Sequence, residues 1–485
     1  MNYKIIFRFL AILLLIICAF MLIPLFLTFY YNEKNTSISF IIPIIITFLL
    51  SLAVIYFTRR KRRKIKFTTR DGFLLVTLSW IFASMLGALP FCISGSIPSY
   101  VDAYFETMSG FTTTGATILT KIEIIPKSIL FWRSLTHWLG GMGIVVLTVA
   151  ILPLLGIGGL KLLQAEAPGP EVDKITPKIT GTAKSLWFAY VGLSLLETIL
   201  LIFGGMDLYD ALTHTFGTMA TGGFSPKNAS IAFYSNPYIH VVITTFMILA
   251  GANFILYFQL ITGKIKKILN NTELKAYIGI FSAATLLITL SLFNSGVYNT
   301  FGRCLRYAGF QCASILTTTG YATADFAKWP YLGQVVLFLI MFVGGCSGST
   351  GGGIKVIRFS ILFKQGINSM KSFIHPRGVF TLKANKQPVR KNVLNAISGF
   401  FFLYIFMLFI TTLVVASAGN DIITSISTAL VTLGNIGPGF GKVGPVENYA
   451  HFPSYVKWFL SFIMMAGRLE LYTVLIIFMP TFWKK

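Results

Sequence analysis

The sequence Thr112-Thr113-Thr114-Gly115 closes a short semi-polar segment, and a long apolar stretch follows it. The arrangement recurs at Met219-Ala220-Thr221-Gly222, Thr317-Thr318-Thr319-Gly320 and Gly434-Asn435-Ile436-Gly437, and we call the four tetrapeptides motifs 1 to 4. Their closing glycines lie 98 to 117 residues apart. Four copies in phase with the hydropathy pattern indicate four equivalent segments that converge on one axis. In a membrane protein, such an axis is naturally an ion path.

The composition indicates a membrane protein. Of the 485 residues, 55% are hydrophobic and only 12% are charged, which is more apolar surface than one aqueous domain can bury. The formal net charge of +24 raises nucleic-acid binding as an alternative. The basic residues cluster in short connections between apolar segments, as the positive-inside rule expects, so no nucleic-acid partner is predicted. The five cysteines have neither metal-site nor disulfide spacing.

Two apolar runs, residues 5 to 29 and 40 to 57, open the chain and predict two transmembrane helices. No signal-peptide cleavage site follows the first run. Seven cations occupy the eight positions 59 to 66 after the second run. The positive-inside rule predicts that this block is cytoplasmic and therefore that the N-terminus, two spans earlier, is cytoplasmic too. A nucleic-acid or localisation patch is the less favoured alternative, because the block lies between two spans.

Beyond residue 71 the chain divides into four repeats, each a crossing helix, a half-polar segment, a motif and a second crossing helix. We predict helices at about 72–94 and 128–155, 185–205 and 238–262, 276–295 and 331–363, and 393–417 and 453–480. The predicted units are 1–71 with the two extra helices, then pore repeats 72–184, 185–275, 276–392 and 393–485. Lysines and arginines fill the connections between repeats, so these connections and the C-terminal Lys484-Lys485 should be cytoplasmic. The predicted fold is an all-α polytopic membrane protein with about ten transmembrane helices.

The half-polar segments, near 102–111, 209–218, 297–316 and 421–433, are too short and too polar to cross a membrane. Backbone that is neither helix nor closed barrel is tolerated at membrane depth only where protein buries it or where it lines water. A re-entrant helix followed by an extended strand satisfies that condition. Asp102, Asp207 or Asp210, and Asp421 suit helix N-termini in three repeats, whereas the third repeat lacks such an aspartate.

The motif composition fits the binding of a desolvated monovalent cation. A ring of backbone carbonyls replaces the hydration shell without fixed charge, and threonine adds hydroxyl oxygens. Glycine permits the unusual dihedrals that point successive carbonyls one way. A single Thr-Thr-Gly is more often an ordinary turn or helix C-cap. Four copies at matching places favour a pore lining.

These motifs and the helix pattern resemble the Trk/Ktr/HKT superfamily of potassium transporters, and specifically the bacterial Trk-type integral membrane subunit. The resemblance covers almost the whole chain, including the two extra N-terminal helices. It implies a single potassium pathway surrounded by four helix-loop-helix repeats with pseudo-fourfold symmetry. It also implies a selectivity filter, the only predicted metal site, made of Thr112, Thr113, Thr114, Gly115, Ala220, Thr221, Gly222, Thr318, Thr319, Gly320, Asn435, Ile436 and Gly437.

The motifs depart from the fourfold-symmetric strand of potassium channels. Ala220 replaces a threonine in motif 2, and motif 4 contains Asn435-Ile436, so fewer ion sites and weaker discrimination are implied. Only Gly320-Tyr321 matches the channel sequence. In the superfamily, serine at the first-repeat glycine accompanies sodium preference, and Gly115 therefore resembles the potassium-selective members.

A glycine-rich run interrupts the last predicted helix of the third repeat. Six glycines occupy the ten positions 344–353, and each costs about 1 kcal/mol relative to alanine in a helix. Unwound backbone at this depth has to line the water path. The resemblance implies an intramembrane gate loop formed by Gly345, Cys346, Ser347, Gly348, Ser349, Thr350, Gly351, Gly352 and Gly353. A phosphate-binding loop and a passive kink are weaker alternatives.

Arg468 lies near the middle of the last apolar run, where a cation that faced lipid would cost several kcal/mol. The functional interpretation is an electrostatic barrier in the cavity below the filter, and matching superfamily members carry a basic residue here. The structural alternative is an ion pair with Glu470, although residues two apart point to different helix faces. Lys355 is either a second cavity charge or the first cytoplasmic cation.

Two other classes of function are less favoured. A secondary transporter coupled to sodium or protons also has broken helices, but its repeats usually number two and alternate in topology. An enzyme needs a convergent catalytic set, which the 16 acidic residues and five histidines do not supply, so no enzymatic activity is predicted. The chain has no nucleotide-binding motif and no predicted cofactor besides potassium as substrate. The resemblance implies a multi-pass protein of the bacterial inner membrane that forms a homodimer and binds a soluble NAD- or ATP-binding regulatory subunit on the cytoplasmic face.

Overall fold

The computed structural model describes residues 1–58, 68–143, 179–385 and 387–484. The helices in these ranges are α1 Tyr3–Tyr30, α2 Lys34–Phe57, α3 Thr69–Ile93, α4 Tyr100–Phe111, α5 Lys127–Gly141, α6 Ile179–Phe203, α7 Leu208–Met219, α8 Pro237–Gly251, α9 Phe254–Ile261, α10 Ile265–Leu269, α11 Thr272–Asn294, α12 Phe301–Leu316, α13 Tyr331–Ile340, α14 Val356–Ile374, α15 Lys391–Ala416, α16 Ile422–Leu433, α17 Ser454–Arg468, α18 Tyr472–Leu475 and α19 Pro480–Trp483. A two-stranded antiparallel hairpin, β1 Lys383–Ala384 and β2 Gln387–Pro388, joins α14 to α15.

Six of the described helices are long and apolar enough to cross a membrane: α1, α2, α3, α6, α11 and α15. The number is eight if the bent pairs that begin with α8 and α17 each count as one span. The fold is therefore a largely helical polytopic one, as the sequence predicts. The basic block at 59–66 and the predicted helical residues 144–155 lie outside the described ranges.

Two helices predicted to be continuous are broken. The predicted helix 238–262 divides into α8 and α9, which meet at 95°. The break occurs because the Gly251 carbonyl accepts the Cys346 N–H across 2.8 Å, and the Asn253 side chain caps α9 by accepting the Ile255 N–H. The predicted helix 453–480 bends by 114° at Glu470 and Leu471, whose φ angles are 58° and 53°.

The glycine-rich run also divides a predicted helix. The helix predicted for residues 331–363 divides into α13, which ends at Ile340, and α14, which begins at Val356. Residues 341–355 between them contain the six glycines. We call residues 345–353 the glycine loop.

Four short helices, α4, α7, α12 and α16, lie among the long ones and carry the motifs at their C-terminal ends. Each begins at a residue whose side chain accepts a backbone N–H three positions on, which is a standard N-cap. The capping residues are Ser99, Asp207, Thr300 and Asp421. Asp102 is thus in the first turn of α4 instead of at its cap, and Thr300 replaces the aspartate missing from the third repeat.

The short helices are buried because the long helices pack around them. Helix α4 contacts α3, α5 and α17, and its residues 103–111 are all buried. Helix α7 contacts α5, α6 and α8, whereas α12 contacts α8, α11 and α13. Helix α16 packs between α15 and α17. Each motif is therefore held inside the protein by two or three neighbouring helices.

Candidate functional site

The four motifs share one backbone geometry. One residue in each has a left-handed φ, between 51° and 61°, and a glycine with φ between 80° and 90° follows two positions later. The first set is Thr113, Thr221, Thr318 and Asn435, and the second set is Gly115, Gly223, Gly320 and Gly437. Left-handed φ is rare for residues other than glycine, above all for β-branched ones. Its recurrence at four corresponding positions shows that the motifs fold alike.

This geometry corrects the alignment of motif 2. The sequence pattern selects Gly222 as its closing glycine, but the backbone angles place Gly223 opposite Gly115, Gly320 and Gly437. Gly222 occupies the position of Thr114 instead. The structural register of motif 2 is therefore 220–223. The consecutive glycines at 222 and 223 conceal this one-residue shift in the sequence.

Each motif also caps its short helix. The N–H of the residue before each aligned glycine donates to a carbonyl five positions earlier, over 2.8–2.9 Å. The pairs are Thr114 with Ser109, Gly222 with Gly217, Thr319 with Ser314, and Ile436 with Val431. This is a helix C-cap in which threonine or asparagine takes the left-handed position that glycine usually fills. The C-cap alternative and the pore-lining alternative are therefore compatible.

Three of the four capping residues are threonines, so the caps are strained. A left-handed conformation costs an L-residue about 1–2 kcal/mol, and it persists where the surroundings fix it. All four left-handed residues are completely buried. Asn435 is additionally bonded through its side-chain amide to the Thr114 hydroxyl and the Met464 carbonyl, both at 2.9 Å. Strain of this kind accumulates at functional sites.

The motifs contact one another in a closed ring. A Cβ added to Gly115 would collide with the carbonyl oxygen of Gly222 in motif 2. A Cβ added to Gly223 would likewise collide with the carbonyl oxygen of Thr319, and one added to Gly320 with that of Ile436. A Cβ added to Gly437 would lie 2.6 Å from the carbonyl oxygen of Thr114. Each glycine thus faces the carbonyl that precedes the aligned glycine in the next motif, in chain order. We call this arrangement the carbonyl ring.

A cavity of about 140 Å³ lies on one side of the carbonyl ring. All four aligned glycines line it, and Gly222 does not. Tyr449 also lines the cavity. Its hydroxyl donates to the Gly437 carbonyl across 2.6 Å, and its N–H donates to the Thr117 carbonyl across 2.8 Å. Burial raises the pKa of Tyr449, which keeps the phenol a neutral donor. The two contacts join motif 4 to the segment after motif 1.

The glycine loop lies on the opposite side of the carbonyl ring, against the residues that begin the motifs. Gly352 donates its N–H to the Thr318 hydroxyl across 2.7 Å. The Thr350 hydroxyl donates to the carbonyls of Met219, at 3.0 Å, and Ala250, at 3.1 Å. Gly352 also lies against Gly434. The glycine loop therefore contacts motifs 2, 3 and 4.

Two further residues fasten the glycine loop to its surroundings. The Gly348 carbonyl accepts the Phe254 N–H across 3.1 Å at the break between α8 and α9. One carboxylate oxygen of buried Glu273 accepts the N–H groups of Ser347, at 2.7 Å, and Ile357, at 3.1 Å. Glu273 thus holds the loop and the start of α14 together.

Arg468 bridges the glycine loop and α5. Its guanidinium donates to the Thr350 carbonyl and, across 3.1 Å each, to the carbonyls of Gly140 and Gly141. Glu470 forms an ion pair with Arg358 in α14, and the alternative of an Arg468–Glu470 pair stays a prediction.

Lys355 lies at the end of the glycine loop. It is 8% exposed, and its ammonium donates to the Gly351 carbonyl. A side chain this buried is not an exposed cytoplasmic cation. Lys355 and Arg468 therefore both bind carbonyls of the loop.

One pair of charged residues beside the carbonyl ring is not among the residues that the sequence pattern predicts. Glu106 and Arg133 are 1% and 2% exposed and form an ion pair of 2.7 Å between α4 and α5. Arg133 also lines the cavity. The pair is hidden in the sequence because its members are 27 positions apart; a glutamate in the middle of the half-polar segment 102–111 was the available signal.

Among the described residues, no group of three or more His, Cys, Asp or Glu side chains is placed to hold a metal ion. The oxygen atoms that come together at the motifs belong to backbone carbonyls and threonine hydroxyls. Together, these features define a polytopic membrane protein in which four buried segments enclose one carbonyl-lined cavity.

Comparison with known proteins identifies the family. The model of the TrkH family, described as cation transport protein, matches residues 36–485. The Trk system potassium uptake protein TrkH of Escherichia coli K12 is 38% identical over the full length of both chains, and TrkG of the same strain is 36% identical over 96% of this chain and 95% of its own. The crystal structure of the potassium transporter TrkH from Vibrio parahaemolyticus superposes with a TM-score of 0.88 at 36% identity, covering both chains completely. The chain belongs to the TrkH family of cation transport proteins, which confirms the resemblance found in the sequence.

Proposed function

We propose that this chain takes up potassium ions across the bacterial inner membrane through the carbonyl ring, which acts as a channel-like selectivity filter. The observation that carries this proposal is the contact of each aligned glycine with a carbonyl of the next motif, around a cavity that all four glycines line. The names of the relatives, which are potassium uptake proteins, support potassium as the ion.

The ion-binding groups in this proposal are the carbonyls of Thr114, Gly222, Thr319 and Ile436. They replace the hydration shell of potassium as the ion enters the ring. The threonine hydroxyls of the motifs supply further oxygens, and those of Thr112 and Thr114 lie 2.8 Å apart. Pseudo-fourfold symmetry among four repeats would place the carbonyls around one axis. These repeats are residues 72–184, 185–275, 276–392 and 393–485.

The glycine loop is the proposed gate. It lies against the loop side of the carbonyl ring, and its bonds to Thr318 and Met219 hold it there. Arg468 and Lys355 bring two positive charges to the same side, which oppose a waiting cation. Opening then requires the loop to leave its partners, and the breaks before α9 and after α17 offer places where the surrounding helices can bend.

The proposed setting is a homodimer with about ten crossing helices per chain and both termini in the cytoplasm. The relatives are named as proteins of a Trk system, which fits a second component. We assign nucleotide control, by NAD or ATP, to a soluble subunit on the cytoplasmic face, because this sequence has no nucleotide-binding motif. The chain itself would bind potassium as substrate, carry no other cofactor and catalyse no chemical reaction.

Reconstitution into liposomes tests the proposal. Purified protein should give rubidium or potassium flux that follows an imposed potassium gradient and exceeds sodium flux under a matched sodium gradient. A potassium flux that requires a simultaneous proton or sodium gradient would favour the alternative, an ion-coupled secondary transporter. Equal flux of potassium, sodium and choline would contradict the selective carbonyl ring.

A further inference from the structure

The Glu106–Arg133 ion pair lies beside the carbonyl ring, between the chain segments that follow motifs 1 and 2. One oxygen of Glu106 accepts from the Arg133 guanidinium at 2.7 Å and from the Thr117 hydroxyl at 2.8 Å. Its other oxygen accepts the Ile118 N–H at 2.9 Å. Thr117 and Ile118 follow motif 1 after one residue, Ala116. Glu106 therefore fixes the backbone that leaves Gly115.

Arg133 contacts the segment that follows motif 2, as Glu106 contacts the segment that follows motif 1. It donates to the Ser225 carbonyl across 3.1 Å, and its guanidinium lies 3.6 Å from the centre of the Phe224 ring. Phe224 and Ser225 follow Gly223 directly. One ion pair thus holds the segments that leave two neighbouring glycines of the carbonyl ring.

Other junctions of the carbonyl ring are joined by neutral groups. The hydroxyl of Tyr321, next to Gly320, donates to the Phe224 carbonyl across 3.2 Å. Tyr449 joins motif 4 to the segment after motif 1. Neutral donors serve these two junctions, so hydrogen bonding alone does not require a charge at the junction of motifs 1 and 2.

A buried ion pair is a weak source of net stability, because desolvation of both charges offsets their attraction. What an arginine provides is geometry, since its planar fork binds two acceptors at fixed spacing, which lysine cannot do. Ion discrimination by carbonyls depends on their number and placement. A rigid link between two of the four carbonyl-bearing strands therefore affects how well the carbonyl ring distinguishes potassium from sodium.

We propose that Glu106 and Arg133 are a positioning pair that sets the preference of the carbonyl ring for potassium over sodium. This inference rests on the proposed function. Arg133 supplies the geometry, and Glu106 neutralises the charge of Arg133 so that a cation can occupy the adjacent cavity. The two roles make different predictions for selectivity and for apparent affinity.

Three variants separate the roles. Arg133→Lys keeps the charge but loses one of two contacts, so the potassium-to-sodium permeability ratio should fall at least about fivefold with little change in half-saturating potassium. Glu106→Gln leaves an uncompensated cation beside the cavity, so half-saturating potassium should rise at least about fivefold while maximal flux is largely kept. The double variant Glu106→Gln/Arg133→Gln is neutral, so its apparent affinity should return towards wild type while its selectivity stays low.

The assay is flux into liposomes at matched amounts of folded protein, with potassium and sodium varied separately. Lys328→Gln is the control, because Lys328 is an exposed cation after motif 3 whose ion pair is with Asp325. It should leave both quantities unchanged. If Arg133→Lys fails to fold, the permeability ratio of the double variant tests the inference, since removing both charges together leaves no uncompensated buried charge.

An unchanged permeability ratio in Arg133→Lys, or in the double variant, would overturn the inference while leaving potassium uptake intact. A wild-type protein without potassium preference would overturn the proposed function instead. Affinity that fails to recover in the double variant would exclude the neutralising role of Glu106.

Discussion

Gly352 donates its backbone N–H to the hydroxyl of Thr318 across 2.7 Å, which bonds the glycine loop to a strained residue of motif 3. The hydroxyl of Thr318 belongs to the proposed ion path, and the N–H of Gly352 in the glycine loop is bonded to it. We therefore expect a change in the glycine loop to alter the carbonyl ring directly, with no other structural element between them. This contact links permeation to gating in the predictions below.

Substitution of aligned glycines should weaken discrimination between ions. In Gly115→Ser and Gly223→Ser the new Cβ meets a neighbouring carbonyl, and both residues have a left-handed φ. We expect the potassium-to-sodium permeability ratio to fall severalfold in each variant. Gly419→Ser is the matched control, since Gly419 has a φ of 78° and open space around its Cα. Unchanged ratios in Gly115→Ser would count strongly against the assignment of motif 1.

The register of motif 2 has its own test. A Cβ at Gly222 would meet the imidazole of His137, not the carbonyl of the next motif. Gly222→Ala with His137→Ala provides space for the methyl group and should keep more selectivity than Gly223→Ala in the same His137→Ala background. Measurement of permeability ratios for both double variants checks this order. The reverse order would restore Gly222 as the counterpart of Gly115.

Shortening the glycine loop should raise basal flux. Deletion of residues 349–351 removes the Thr350 contacts to Met219 and Ala250 and shortens the segment that faces Thr318, while each motif keeps its helix cap. Rubidium flux without any regulatory subunit is the measurement. Deletion of the exposed residues 376–378 is a control of equal length. Loss of flux in folded protein would mean that the loop supports the carbonyl ring and does not obstruct it.

Arg468→Ala should also raise flux without abolishing selectivity. A unit charge roughly 6 Å from a cation costs it about 3 kcal/mol at an effective dielectric near 20, before screening. The structure adds a second reason, because the alanine variant also releases the Thr350 carbonyl from Gly140 and Gly141.

Arg468→Lys separates these two reasons. Lysine keeps the charge but cannot span three carbonyls, so flux close to wild type indicates a barrier of charge, and a partial rise indicates a clamp on the loop. Reduced flux in Arg468→Ala, with normal amounts of folded protein, would exclude both interpretations.

Glu273→Ala should destabilise the protein and loosen the glycine loop. It leaves the buried N–H groups of Ser347 and Ile357 without their acceptor, at a cost of about 1–3 kcal/mol for each group. Both bonds end on one oxygen, so Glu273→Gln can retain them and should remain close to wild type. Thermal unfolding in detergent and basal rubidium flux check the pair. Equal stability of the alanine and glutamine variants would mean that the Glu273 side chain does not anchor the glycine loop.

Much of the fold can be predicted from the sequence, because long apolar helices and semi-polar segments differ strongly in composition. The predicted starts of α3 and α11 lie within a few residues of the observed ones. The break after Gly251 is less visible, because it depends on a contact from a distant segment, the bond from Cys346 to Gly251. No local pattern encodes a partner that lies nearly a hundred residues away.

The candidate site shows the same division. The composition of the motifs reveals which residues form them, but the register of motif 2 depends on backbone angles that two consecutive glycines leave open. The Glu106–Arg133 pair and the triple contact of Arg468 depend on packing between helices. Residue types predict a site of carbonyls and hydroxyls, whereas tertiary contacts determine which charge meets which carbonyl.

The four short helices end where the carbonyl ring forms, and this shared direction has an electrostatic consequence. Each helix macrodipole places about half a negative elementary charge at its C-terminus. Four such ends around one point give a partial charge on the order of minus two without any carboxylate. We expect this field to attract cations of every size and to repel anions, so that in the proposed function only the carbonyls distinguish potassium from sodium. A variant such as Gly115→Ser should therefore admit more sodium and still exclude chloride, which chloride flux in the same liposomes can measure.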